Sequence, residues 1–343
     1  MDYGHLKFCV VGVGRMGVRH LQAAQQLGMQ IEGVADVSPF AVQSACQTFD
    51  LPASAEFSSL GAMLEKTRPD ALVIATTAPS HCEAVIAASR AGVKHILCEK
   101  PMANSLAEAQ AMIAACDAHG TQLAINHQMR FMPQYSEVKE LLGSEKLGAL
   151  VSVVVAGSNF GLAMNASHYF EMFRYLTNSS VASVQAWFEK DHLNNPRGAE
   201  FEDRSGRLLA TGEQGQTLYI DFSAAAGHGL QCIYICRHGQ IMVDELSGDM
   251  RIIARQAQYR DLPTTRYGLP ADTENRAIAP ADTVGPTLAV WQAMLNGESF
   301  PNGTVGLHAL KCLVAAHESH RLNGQAVSLN SPPLPAQQYF KWA

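Results

Sequence analysis

The chain has 343 residues, more than a single hydrophobic core comfortably supports, so about two domains are expected. Hydrophobic residues make up 47% and charged residues 16%, an ordinary globular balance that excludes disorder. The 25 basic and 31 acidic residues leave a net charge of −6 with no long Lys/Arg run, which argues against a nucleic-acid partner.

No stretch nears the roughly 20 apolar residues that a membrane span requires, so no membrane association is expected. Met1 to Lys7 carries Asp2 and runs into a short apolar strand without a small-residue cleavage site, which speaks against a signal peptide. The eight cysteines are scattered and several lie in apolar runs, as reduced, buried thiols of a cytoplasmic protein would. Cys232 and Cys236 sit in a strand-like run with no second pair at zinc-finger spacing, so no metal site is expected.

Lys7-Phe8-Cys9-Val10-Val11 is a nearly continuous apolar run, the mark of a parallel strand buried on both faces. Gly12-Val13-Gly14-Arg15-Met16-Gly17 follows and opens a helical pattern that reaches Leu27 and stops at Gly28. This G-x-G-x-x-G stands between strand and helix, where it acts as a dinucleotide fingerprint. Gly12 permits the tight turn, Gly14 lets backbone approach a pyrophosphate, and Gly17 lets helix and strand pack closely. Arg15 and Met16 join these glycines as cofactor candidates, because a helix N-terminus offers N–H donors and partial positive charge to phosphate. A second strand, Gln30 to Ala35, ends at Asp36, 19 residues beyond Gly17. A carboxylate there accepts both ribose hydroxyls and repels a 2′-phosphate, which favours NAD over NADP. Asp36 is equally suited to capping the next helix.

Asp70 to Ala75 reads as a buried strand running into Thr76, Thr77 and His81, with a helix to Ala91 behind it. His95 to Cys98 is another strand. Ser105 and Glu108 form a capping box for a helix to His119, stopped by Gly120, and Leu123 to Ile125 is a further strand. Strands alternating with crossover helices imply a doubly wound parallel sheet, whose ligands collect at strand carboxyl ends. Thr76, Thr77, His81, Glu99, Lys100 and Asn126 occupy such ends and are cofactor candidates; His81 is equally placed for capping or packing. Beyond Met129-Arg130 the period changes. Ala149–Ala156, Thr217–Phe222, Gln231–Cys236 and Gln240–Asp244 are strand-like with short turns, and helices are expected at about Ser167 to Leu176 and Gly306 to Leu322. The expected α/β architecture is a Rossmann domain over residues 1–127. An α+β domain over residues 128–343 follows, with an open, largely antiparallel sheet for substrate binding and oligomerisation.

Cys98-Glu99-Lys100-Pro101, together with the glycine fingerprint, the Ala75-Thr76…His81 segment and Arg130, resembles the Gfo/Idh/MocA family. That family is named for glucose–fructose oxidoreductase, inositol dehydrogenase and a rhizopine-catabolism dehydrogenase. The resemblance extends over nearly the whole chain, through Gly297 to Pro301, Gly306-Leu307 and Asn323-Gly324. It implies that Lys100 lies beside the nicotinamide and the reacting carbon as a catalytic residue, with Glu99 holding loop and cofactor geometry. A lysine serves as a base only where burial or neighbouring charge lowers its pKa.

The family's Asp-x-Gly-x-His pattern, with an acid three residues on, corresponds here to Met164 through Glu171. His168 is present as the second catalytic candidate, but Met164 replaces the aspartate and Ala166 the glycine. Glu171, one turn on, is expected to orient or charge His168. Asn165 offers a substitute hydrogen bond. Arg130, Asn165 and Tyr169 are the substrate candidates, with an ion pair the alternative for Arg130 and core packing for Tyr169. Lys190 to Asn195 reads as an exposed loop outside the site.

The resemblance implies hydride transfer between NAD(H) and a carbinol or carbonyl carbon of a sugar, inositol or nucleotide-sugar-like compound. Lys100 and His168 would handle the proton, in a homo-oligomer of two or four subunits. The missing aspartate leaves open NAD-assisted sugar elimination with an internal redox cycle, or a non-catalytic dinucleotide sensor.

Overall fold

The computed structural model describes residues 3–157, 160–192, 195–227, 229–263, 268–279, 282 and 284–343. Asp2, Leu193 and Asn194 lie outside the described residues. The chain divides into two compact units, one of Met1–Gln128, Asp282–Leu310 and Pro335–Ala343, the other of Met129–Ala281 and Lys311–Leu334. The division is therefore not a single cut at 127/128, because the chain returns twice to the first unit.

In chain order the first unit begins with β1 (Lys7–Val11), α1 (Arg15–Gln26), β2 (Gln30–Ala35), α2 (Pro39–Thr48), β3 (Glu56–Phe57) and α3 (Leu60–Thr67). It continues with β4 (Ala71–Ile74), α4 (His81–Arg90), β5 (His95–Cys98), α5 (Leu106–His119) and β6 (Gln122–Ile125). The strand order β3-β2-β1-β4-β5-β6, every pair parallel, is that of a doubly wound dinucleotide fold. The central strands are apolar and buried over most of their length: Phe8 to Val10, Ala71 to Ile74 and Ile96 to Cys98 are each 0% exposed. Helix ends follow local chemistry. Ser38 caps α2 ahead of Pro39, and Ser105 caps α5 by accepting from the Glu108 amide at 3.2 Å. Glu108 reaches back to the Asn104 amide at 3.0 Å, one residue before the cap that a standard capping box would use.

The second unit supplies α6 (Pro133–Leu141), β7 (Leu150–Ala156), α7 (Ser167–Thr177), β8 (Val181–His192), β9 (Arg204–Gly212) and β10 (Thr217–Phe222). After them come β11 (Gln231–Cys236), β12 (Gly239–Asp244), β13 (Asp249–Arg255) and β14 (Ala271–Ala277). The chain closes with α8 (Val284–Leu295), α9 (Gly303–Arg321, which spans the division) and β15 (Val327–Ser328). The nine-stranded sheet has the order β14-β13-β12-β11-β7-β10-β9-β8-β15 and is antiparallel except at β7–β10. Residues of one face (Val153, Val155, Leu218, Ile220, Tyr234, Ile241) are fully buried and alternate with half-exposed neighbours, the period-two pattern of a one-sided sheet. Lys190 belongs to β8, so the polar run expected as a loop begins inside a strand.

Helix α8 joins the first unit through an edge contact of Trp291 with Phe8 at 5.7 Å and a Tyr3–Asn296 hydrogen bond of 2.9 Å. The C-terminal segment returns to the same unit. Asn104 Nδ2 donates to the carbonyls of Phe340 (2.5 Å) and Trp342 (2.9 Å), and Trp342 is 2% exposed.

Candidate active site

The three fingerprint glycines are glycine for different reasons. Gly12 has φ +86, and a Cβ there would fall 2.6 Å from the Ala75 carbonyl carbon. A Cβ on Gly17 would overlap the carbonyl oxygen of Gly12, which is the close helix–strand approach the fingerprint requires. At Gly14 nothing lies within 4 Å, and its φ of −68 suits any residue. No packing among the described residues therefore demands glycine at 14. Its missing side chain leaves clear the mouth of α1, whose first turn has no side-chain cap. A helix N-terminus kept open and uncapped fits a pyrophosphate.

Asp36 stands directly beyond β2, its carboxylate fixed by the amides of Val13 (2.8 Å) and Ser38 (2.9 Å). It does not cap α2, a task that falls to Ser38. Each oxygen keeps lone-pair capacity for a ribose hydroxyl. Thr76 and Thr77 are half-buried past β4, with Ser80 Oγ donating to Thr76 Oγ1 at 2.7 Å. Arg15 is exposed and Met16 half-buried on the first turn of α1.

His81 is corrected. It is 1% exposed, with Nε2 at 3.0 Å from the Thr76 carbonyl and Nδ1 at 3.1 Å from the Pro101 carbonyl. Burial lowers its pKa against the opposing pull of these carbonyls. It braces the loop after β4 against the loop after β5 and presents no edge to a ligand.

The carboxyl end of β5 carries Glu99 and Lys100, the latter joined to Pro101 by a cis peptide bond. Glu99 is 4% exposed, and its Oε1 accepts from His20 Nε2 at 2.9 Å and Asn126 Nδ2 at 2.8 Å. Its Oε2 accepts from the Lys100 amide at 3.3 Å. Burial alone would raise the Glu99 pKa; the hydrogen bond and charge of His20, with Lys100 and Asn126, outweigh it and hold the acid at about 2. Glu99 is thus a buried anion, and Lys100, half-buried at the strand end, stands next to it. His20, on the buried face of α1, was missed by sequence reasoning. Its signal was a titratable side chain among the apolar positions Gly17, Leu21 and Ala24 of one helix face.

In the second unit, His168 is half-buried on the first turn of α7. A π-helical turn, Leu162–Ala166, precedes it and is capped by Asp203, whose carboxylate accepts from the amides of Ala163 and Met164 at 2.9 Å each. A Cβ on Gly161 would overlap that carboxylate. The element carrying His168 is therefore seated by an acid about 40 residues on, which no local pattern announced.

Three expectations for this unit change. Glu171 is engaged by arginines: its oxygens accept from Arg130 and from Arg174 (Nε 2.7 Å), all within the same unit. Arg130 is 4% exposed, pairs with Glu171 and stacks over Tyr175 at 5.2 Å, so it is an interior ion pair and not an open substrate ligand. Tyr169 is 3% exposed and donates to Glu245 Oε2 at 3.1 Å, a core role. Tyr135 and Cys232 (3.1 Å) also donate to Glu245. Asn165 is exposed just before α7. Among the described residues no cluster of metal-ligating side chains is present, and no helix is long and apolar enough to cross a membrane.

Comparison with known proteins bears on this geometry. Residues 6–127 match the Gfo/Idh/MocA family, described as an oxidoreductase family with an NAD-binding Rossmann fold. The chain is 29% identical over 265 residues to inositol 2-dehydrogenase of Pseudomonas fluorescens, covering 71% of this chain and 75% of that one. It is 34% identical over 143 residues to D-apiose dehydrogenase of Paraburkholderia graminis, covering 41% of this chain and 37% of the other. An oxidoreductase from Agrobacterium radiobacter, crystallised with NAD+, L-tartaric acid and magnesium, shares the fold with a TM-score of 0.79 and 20% identity, covering 95% of this chain and 99% of that one.

Proposed function

The chain belongs to the Gfo/Idh/MocA oxidoreductase family, and from that premise we propose that it transfers a hydride between NAD(H) and a carbinol or carbonyl carbon of a sugar, inositol or nucleotide-sugar-like substrate. The observation that carries this reading is the Glu99-Lys100-Pro101 turn at the carboxyl end of β5, beside an open α1 N-terminus. When bound, the nicotinamide supplies or accepts the hydride. Gly12, Gly14, Gly17 and the first turn of α1, through Arg15 and Met16, hold the pyrophosphate. Asp36 takes the adenosine ribose and selects NAD over NADP. Thr76, Thr77, Glu99 and Asn126 border the rest of the cofactor.

Lys100 and His168 are the proton-handling residues in this proposal. The ammonium of Lys100 stabilises negative charge developing on the substrate oxygen, and His168 accepts or returns the hydroxyl proton. Asn165, exposed ahead of α7, is the remaining polar candidate for substrate contact. A second copy of the chain is the expected partner. One row of the open sheet face, Leu209, Tyr219, Val154, Ile233 and Met242 in register, is apolar and half-exposed.

The test is a screen of polyols, sugar acids and nucleotide sugars with NAD, following NADH and substrate together. Stoichiometric NADH formation on a hydroxylated compound supports the dehydrogenase. Substrate loss without NADH accumulation supports the internal redox cycle, and binding without turnover of any compound supports a sensor.

A further inference from the structure

Among the described residues 161–170, only Met164, Asn165 and His168 are not buried. His168 stands three residues beyond Asn165 and four beyond Met164, spacings that put side chains on one helical face. The accessible side of this segment is thus the face that carries His168. Its phase is set by the π turn Leu162–Ala166, in which the Ala166 amide reaches back five residues to the Gly161 carbonyl at 3.2 Å. Such turns are rare, and rewinding this one as α-helix would swing its start by about 100° against α7. Asp203, 4% exposed, holds the turn: its two oxygens take the Ala163 and Met164 amides, donors that the start of a helical segment leaves unpaired. Gly161 has a φ of −76, open to any residue, yet a Cβ there would overlap Asp203 Oδ2. Glycine stands at 161 because the carboxylate fills the place of its side chain.

We propose that Asp203 is a positioning residue for His168, fixing the turn that sets the direction in which Asn165 and His168 face. This rests on the reading of His168 as the carrier of the substrate's proton, and adds the residue that aims it. Proton transfer needs the imidazole within hydrogen-bond reach of the substrate hydroxyl, and a misplacement of about 1 Å can cost on the order of 10²-fold in rate. A charged acceptor suits the task, since hydrogen bonds to a carboxylate are roughly twice as strong as neutral ones. Asp203 touches neither substrate nor cofactor in this role. It acts through the main-chain amides of the element that bears His168.

Three measurements on the full chain test this, and the first needs no substitution. The Ala163 and Met164 amides should be protected from hydrogen exchange although they open a helical segment; fast exchange at either overturns the contact. The second follows the imidazole C–H resonances of the histidines, with His168 identified by its loss in His168→Gln. Asp203→Asn keeps one acceptor oxygen, and Gly161→Ala pushes the intact carboxylate away. Both should shift the His168 resonance and leave those of His20 and His81, in the first unit, in place. The third is kinetic, read with the compound of the screen that forms NADH fastest. Each of these two variants should lose about 10- to 10²-fold in kcat with NADH affinity unchanged. In the His168→Gln background Asp203→Asn should cost nothing further, because residues that act as a unit are not additive. A cap that merely stabilises the fold would lower the melting temperature and cost the same factor in either background. An unmoved His168 resonance, or an additive loss, overturns the positioning role and leaves the role of His168 itself standing. Undiminished turnover by His168→Gln, or no turnover by the unmodified chain, instead removes the reading of His168 on which the positioning role depends.

Discussion

Two glutamates in this molecule are both largely withdrawn from water and behave in opposite ways. Glu99, in the first unit, receives hydrogen bonds from an imidazole, a carboxamide and a main-chain amide beside the Lys100 charge, and is held at about 2. Glu245, in the second, receives them from two phenols and a thiol. Burial dominates there, the charge of Asp244 adds to it, and the Glu245 pKa is raised. Burial penalises both anions; what differs is the donors. Nitrogen donors backed by positive charge outweigh desolvation, whereas neutral hydroxyls only reduce it. Glu99 is therefore a permanent anion set beside the proposed cofactor, and Glu245 is the polar knot of a core.

This contrast can be broken experimentally, most forcefully at Lys100. Lys100→Met removes the cation next to Glu99, and turnover should fall by about 10²- to 10⁴-fold, the usual worth of a positioned acid or base. Cofactor affinity measured by NADH fluorescence should change little by comparison. Retained turnover would detach Lys100 from the chemistry.

Glu99→Gln should be the more costly of the two glutamate substitutions. The folded-state pKa is depressed, so the anion's stabilisation is fully present above the unfolded value and is lost as pH falls through the folded one. With the acid moved from 4.5 to about 2, its contribution at pH 7 is about 3 kcal/mol, fading between those two values. Glu245 has the reverse sign. Its raised pKa costs stability once pH exceeds the unfolded value, so Glu245→Gln should be neutral or stabilising at pH 7, by less than about 1 kcal/mol. Thermal melting of both variants at pH 7 and about pH 3 reads the two signs directly. Equal destabilisation at pH 7 would remove the contrast.

An effect smaller than that at Glu99 is expected at Tyr169→Phe, which deletes one of three donors to Glu245 and should cost about 1 kcal/mol by chemical denaturation. Loss of turnover without loss of stability would restore Tyr169 to the substrate site.

The first unit was legible in the sequence because its information is local. An apolar run of four residues, glycines at fixed spacing, an acid 19 residues on and a serine cap each report their own backbone. Glu-Lys-Pro at a strand end carried the family resemblance. His20–Glu99 was not legible, because the partners are 79 residues apart and a lone helical histidine carries no label. In the second unit, the helix that bears His168 was found, but the partner of Glu171 was misread. Glu171 lies one turn from His168, yet Arg130 and Arg174 claim its oxygens, since a carboxylate in an interior takes the strongest donors within reach. β14 escaped notice because Ala271–Ala277 is an edge strand with six of its seven residues exposed, so no apolar alternation marks it.

The central claim is most directly tested by titrating the chain and its Gly14→Ala variant with NADH, alongside melting temperatures. Because no described residue other than its chain neighbours comes within 4 Å of a Cβ at Gly14, the variant should melt as the parent does and bind NADH at least tenfold more weakly, the cost of crowding the pyrophosphate. Undiminished binding by the variant, or no saturable binding by the parent, would contradict the account.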